Sequence, residues 1–222
     1  MLYSLNASPF KQTSFSYEKE FKCLLAKITE CYKLMIADKV KVDNDENKIS
    51  DALCVNYLKD TKVRSRFDLT DFLFDREVPE DNTRGRTDIK VQTINSFENS
   101  DAYYIIECKR LDNQNLTGIT GLNAQYITDG IQRFIERKYS AYYRINGMIG
   151  FVVEQLDIDA NIVNINNLLQ KKFSDANTIT FLTFIDFVKE FKYQYYSVHK
   201  DIENKKIKLY HLMFDFSKNI KV

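Results

Sequence analysis

Residues 85–91 read Gly-Arg-Thr-Asp-Ile-Lys-Val, and residues 103–110 read Tyr-Tyr-Ile-Ile-Glu-Cys-Lys-Arg. Side chains alternate along an extended chain, so Arg86, Asp88, Lys90 and Gln92 share one face of the first segment. Tyr103, Ile105, Glu107 and Lys109 share one face of the second. Two carboxylates and an ammonium then converge. An apolar strand gains nothing by turning Glu and Lys inward, because each buried charge costs on the order of several kcal/mol unless it is paired or binds metal. Asp and Glu oxygens are hard ligands of the kind that hold Mg²⁺ beside substrate phosphates. The alternative for the same three residues is a salt-bridged cluster on an exposed sheet face. Ile106 and Cys108, on the opposite face, also need cover, which argues for a central strand.

This pattern resembles the PD-(D/E)xK nuclease superfamily, which has the restriction-endonuclease-like fold. Asp88 matches the family's first acid, Glu107 its second and Lys109 its lysine, with Thr87 standing where the leading Pro would be. The likeness is best over residues 40–155. It implies an α/β domain with a mixed central β-sheet flanked by helices. It also implies that Asp88, Glu107 and the Cys108 carbonyl ligate Mg²⁺ or Mn²⁺, that Lys109 orients the attacking water, and that a phosphodiester is hydrolysed. Glu-x-Lys alone distinguishes nothing, since it recurs at Glu20/Lys22 and Glu190/Lys192 among other places. Only the copy at 107/109 closes a run of β-formers and follows an alternating strand across a short polar loop, residues 95–101.

Residues 43–46, Asp-Asn-Asp-Glu, open a helix whose apolar stripe runs Ile49, Leu53, Tyr57, and Glu46 lies at the N-terminal end of that stripe. It therefore faces inward, where the resemblance gives a first-helix Glu a place in the metal site. The other reading is a first-turn acid complementing the helix dipole, worth about 0.3–1 kcal/mol, which Asp43 and Asp45 could serve equally. On a helix expected over residues 124–139, Gln125 and Gln132 are seven residues apart and hence on one face. The resemblance implies that such a Gln lines the active site; ordinary surface glutamines are the alternative. Arg133 is placed to meet a phosphate. Arg84, Arg86, Lys109, Arg110, Arg133, Arg137, Lys138 and Arg144 crowd this part of the chain, so a basic cleft on a neutral body is expected.

The chain has 222 residues, 44% hydrophobic content and a net charge of +1, and reads as one domain. Its core spans about residues 40–155, with a helix at 16–37 and a C-terminal β-hairpin at 191–216 as additions. The balanced charge means that any attraction for nucleic acid is local. Cys23, Cys31, Cys54 and Cys108 have no zinc spacing and no secretory signal precedes them, so they read as reduced core thiols. No stretch approaches the roughly 18 apolar residues of a membrane span. A cytoplasmic protein without a membrane partner is expected.

The elements that position these residues follow from periodicity. Helices are expected at 16–37 and 45–58, and a β-rich stretch at 66–78 leads through Pro79 into the Asp88 strand. The loop at 112–122 precedes the 124–139 helix, which presents Tyr126, Gly130, Ile131, Phe134 and Ile135 inward. A strand at 147–154 completes a strand, helix, strand crossover. A helix at 158–173 follows, and residues 178–185 are a strand or the approach to a helix. The closing hairpin carries the only two histidines, His199 and His211. Each is read as a half-buried hydrogen-bonded residue or as a group orienting nucleotide or water. The activity implied by the resemblance is Mg²⁺-dependent endonucleolysis of DNA, by a restriction or phage-defence effector with a homodimeric or regulatory protein partner. An RNA nuclease and a catalytically silent nucleic-acid-binding scaffold of the same fold are the alternatives.

Overall fold

The computed structural model describes residues 14–79, 86–138 and 142–221. Helix α1, Ser14–Ala37, sets Tyr17, Phe21, Leu24, Leu25, Ile28 and Met35 at three- and four-residue spacing, and all are buried. Helix α2, Glu46–Leu53, starts where the Asp45 carboxylate accepts the Lys48 N–H at 3.0 Å, and it runs on into a π turn, Cys54–Leu58. After α3, Thr61–Arg66, come β1, Leu73–Pro79, and β2, Arg86–Gln92. A one-turn helix α4, Asn95–Glu98, leads into β3, Tyr103–Leu111. The next helix is broken in the middle: α5, Leu122–Tyr126, and α6, Gln132–Ile135, flank a π turn, Ile127–Ile131. Then follow β4, Ile145–Val152, α7, Ile158–Lys171, β5, Thr178–Phe184, β6, Gln194–Lys200, and β7, Lys206–Asp215.

The seven strands form one sheet in the order β1-β2-β3-β4-β7-β6-β5. The β3/β4 and β4/β7 pairs are parallel and the others antiparallel, so the sheet is mixed and its flanking helices make an α/β fold, as the sequence led one to expect. On one face Ile89, Val91, Tyr104, Ile106, Cys108 and Ile149 share a core with α1 and α2. On the other, Ile105, Met148, Leu209 and Met213 pack with α5, α6 and α7. Every residue of β4 is buried, which a strand covered on both faces requires. Each large side chain so buried contributes on the order of 1.5–3 kcal/mol. Among the described residues no helix is long and apolar enough to cross a membrane.

The structure corrects several expected elements. Residues 66–72 are not strand: the Asp60 carboxylate accepts the Lys62 and Val63 N–H groups at 3.0 Å and starts α3, and turns then carry the chain to Leu73. Part of the loop expected at 95–101 is α4. The C-terminal hairpin is no addition, because β7 lies between β4 and β6 with both faces covered, and β6 begins only at Gln194. Residues 178–184 resolve as a strand. Arg84, Gly85 and Tyr139, expected near the site and at element ends, lie outside the described residues.

Candidate active site

Strands β2 and β3 pair antiparallel with Ile89 opposite Ile106 and Lys90 opposite Ile105. Carried one residue further, this register sets Asp88 across from Glu107, on the face that α5 and α6 cover. The Asp88 Oδ2 accepts the Cys108 N–H at 2.7 Å, which pins its carboxylate against β3. Helix α2 aims its first residue at the same strand: Glu46 Oε2 accepts the Arg110 N–H at 3.1 Å and Oε1 accepts the Lys109 ammonium at 2.8 Å. The Arg110 side chain holds the approach to α2 by donating to Asn44 O at 2.9 Å and Asn44 Oδ1 at 2.8 Å. Gly130, in the π turn, lies over the site beside Lys109 and Met148. A Cβ there would stand 2.3 Å from Met148 Cε and 3.5 Å from Lys109 Cγ.

Lys109 Nζ sits at the focus of four oxygens. It is 2.7 Å from the Cys108 carbonyl, 2.8 Å from Glu46 Oε1, 2.9 Å from Glu107 Oε1 and 3.7 Å from Asp88 Oδ2. Glu107 is fully buried and also receives Arg133 Nη1 at 2.8 Å. Burial, with the Asp88 charge second, pushes Glu107 up to about 7, although Lys109 and Arg133 pull the other way. Burial disfavours the Lys109 ammonium, but Glu107, Asp88 and Glu46 outweigh it and raise that pKa above the ordinary lysine value. Three carboxylates thus gather around Lys109, and the deepest of them, Glu107, is shifted mainly by its burial. Lys109 is a fixed donor at neutral pH, not a base.

Above these groups lies a cleft of about 630 Å³, lined by Glu46, Asn47, Glu77, Arg86, Asp88, Lys109, Arg133 and Lys138. Four cations face three acids there, with Glu107 beneath, so the cleft is charge-balanced rather than basic as expected. The Arg86 guanidinium lines it while donating from Nε and Nη2 to Glu77 O at 3.2 Å. Cys108 turns its thiol into the opposite core, as expected, and burial raises its pKa well above the usual value.

Other expected site residues lie elsewhere. Gln125 and Gln132 do not share a face: Gln125 is exposed, whereas Gln132 is buried and donates to Asp175 Oδ2 at 2.7 Å. The π turn between them takes more residues per turn than an α-helix, so seven residues no longer complete two turns. His199 and His211 are fully buried under the second helical layer and do not line the cleft. Sequence reasoning missed Glu77. Its φ of 49° is a left-handed conformation that costs a non-glycine residue on the order of 1–3 kcal/mol and concentrates at functional sites. Its only sequence signal is the register between β1 and β2, in which Arg76 faces Ile89 and Val78 faces Thr87.

Among the described residues no three His, Cys, Asp or Glu side chains already surround a common point in metal-binding geometry; the carboxylates turn to Lys109 instead. The donor chemistry nonetheless fits Mg²⁺ or Mn²⁺. Asp88, Glu107, Glu46 and the Cys108 carbonyl supply hard oxygens, and burial beside Asp88 disfavours the Glu107 carboxylate charge that a cation would stabilise. No family model, curated protein or solved structure matches the chain.

Proposed function

We propose that the chain is a metal-dependent phosphodiesterase of the restriction-endonuclease-like, PD-(D/E)xK type, with DNA as its favoured substrate and Mg²⁺ or Mn²⁺ as its cofactor. The observation that carries this reading is the meeting of Asp88, Glu107, Lys109 and Glu46, from β2, β3 and α2, at the floor of one open cleft. A salt bridge that only stabilised the sheet would need neither three carboxylates nor an opening to solvent.

Asp88, Glu107, Glu46 and the Cys108 carbonyl would hold the cation. When bound, it would supply charge stabilisation at the phosphoryl oxygens and a more acidic water. Lys109, permanently charged, donates to the attacking water or to a non-bridging phosphate oxygen and sets the line of attack. Arg133 lies beside Glu107, where its guanidinium can meet a phosphate bidentately. Arg86 and Lys138 at the rim would position flanking phosphates without reading sequence. Because the cleft is charge-balanced, its attraction for a polyanion depends on the extra positive charge of the cation.

The test is incubation of the purified protein with plasmid DNA, single-stranded DNA and RNA, with Mg²⁺, with Mn²⁺ and with chelator. Cleavage of DNA only in the presence of metal is the expected result. Cleavage of RNA alone would move the substrate class, and binding without cleavage under any condition would make the chain a scaffold.

A further inference from the structure

We propose that the Lys109 ammonium is a built-in competitor for the divalent cation, so that binding of the cation is an exchange reaction in which the lysine must leave. This rests on the metal-site reading above. The ammonium has three donors, and they are spent on the Cys108 carbonyl at 2.7 Å, Glu46 Oε1 at 2.8 Å and Glu107 Oε1 at 2.9 Å. Asp88 Oδ2 stands next, at 3.7 Å. These are the oxygens that would ligate the cation, and no other set in the cleft has their convergence. Mg²⁺ bonds oxygen at about 2.0–2.1 Å and would occupy the same focus, where a second positive charge a few ångströms away is repelled strongly in a poorly solvated site. Lys109 is 6% exposed and borders the cleft, so its route out leads towards substrate rather than into the core.

Two consequences follow. The free protein holds divalent cations weakly, because each one bound displaces a cation already satisfied. An anionic phosphate in the cleft gives the displaced ammonium a new partner, so cation and substrate bind with positive coupling, each strengthening the other by the same factor. Lys109 thereby keeps the three carboxylates together in the resting chain and is delivered to the phosphate by the exchange.

Calorimetric titration with Mn²⁺ alone tests this on wild type, Lys109→Met and Asp88→Asn. The expected result is at least tenfold tighter Mn²⁺ binding by Lys109→Met than by wild type, with binding lost in Asp88→Asn. Equal affinities in wild type and Lys109→Met, with loss in Asp88→Asn, would overturn the competition and leave the metal site standing. No binding by either wild type or Lys109→Met would remove both. Should Lys109→Met fail to fold, wild type alone decides through the rate at which acetic anhydride acylates Lys109, read by peptide mass spectrometry. Saturating Mn²⁺ is expected to raise that rate severalfold. An unchanged or slower rate, or no Mn²⁺ binding to wild type, overturns the proposal.

Discussion

Glu46 is committed by both of its oxygens, one to the Lys109 ammonium and one to the Arg110 N–H, and no neighbour can replace it. Asp45 is spent on capping α2 and Asp43 pairs with Lys221 at 3.0 Å. Glu46→Gln keeps an acceptor in place, so it should cost only about 1 kcal/mol of stability while lowering cleavage more than tenfold. The melting midpoint and the cleavage rate of this one variant check both; full activity with a lowered midpoint would return Glu46 to the role of a helix-end charge. Glu107 makes a pH prediction. Its folded pKa of about 7 lies above the ordinary 4.5, so the native state binds the proton more tightly. The stability this gives is complete below pH 4.5 and is lost as pH rises through 7. Relative to wild type without metal, Glu107→Gln should therefore gain about 2–3 kcal/mol between pH 5 and pH 8, measured by denaturant unfolding. A pH-independent difference would contradict this. Asp88, Glu107, Lys109 and Glu46 were legible in the sequence because two regular periods, of strand and of helix, placed them. Gln125 and Gln132 were not, because nothing in the residues of 127–131 announces a π turn.

At the scale of elements, the second layer is tied to β6 and β7 by a buried polar chain. Tyr126 Oη lies 2.8 Å from His211 Nδ1, Ser197 Oγ lies 2.8 Å from the Nε2 of both histidines, and His199 Nδ1 lies 3.0 Å from the Ala176 carbonyl. One arrangement of protons satisfies all of it with both rings neutral: Tyr126 donates to His211, His211 to Ser197, Ser197 to His199, and His199 to the carbonyl. A further proton on either ring would face a hydroxyl, Tyr126 or Ser197, whose own proton would then have to find another acceptor. Burial holds His199 down to about 4 and His211 to about 3, the latter with help from His199. Both folded pKa values lie below the ordinary 6.5, so this stability is present above pH 6.5 and drains as pH falls towards 4. His199→Gln should remove about 2 kcal/mol of the loss between pH 7 and pH 5, checked by urea unfolding at the two values. An identical pH slope in the variant would rule the chain out as an acid sensor of the fold. The alternation of residues 191–216 announced the hairpin, but only the near-continuous burial of β7 shows it to be central.

For the molecule as a whole, the proposed metal site predicts that stability responds to the divalent cation. Millimolar Mg²⁺ or Mn²⁺ should raise the melting midpoint of wild type by mass action, about 2.7 kcal/mol when the ion is at a hundred times its dissociation constant. For a chain of 222 residues that corresponds to roughly 5–11 °C. Asp88→Asn should show no rise, and an equal rise in both would place the ion elsewhere. The α/β class and the pairing of β2 with β3 were readable because local patterns specify them. The joining of seven strands into one sheet was not, because β4 meets β7 across more than fifty residues of intervening chain. The most direct measurement is the rate of plasmid cleavage with Mg²⁺ by wild type and by Asp88→Asn, with equal folding shown by circular dichroism. Metal-dependent cleavage by wild type and its loss by at least a thousandfold in Asp88→Asn is the result predicted. Equal rates in the two proteins, or no cleavage by wild type of any nucleic acid with any divalent metal, would contradict it.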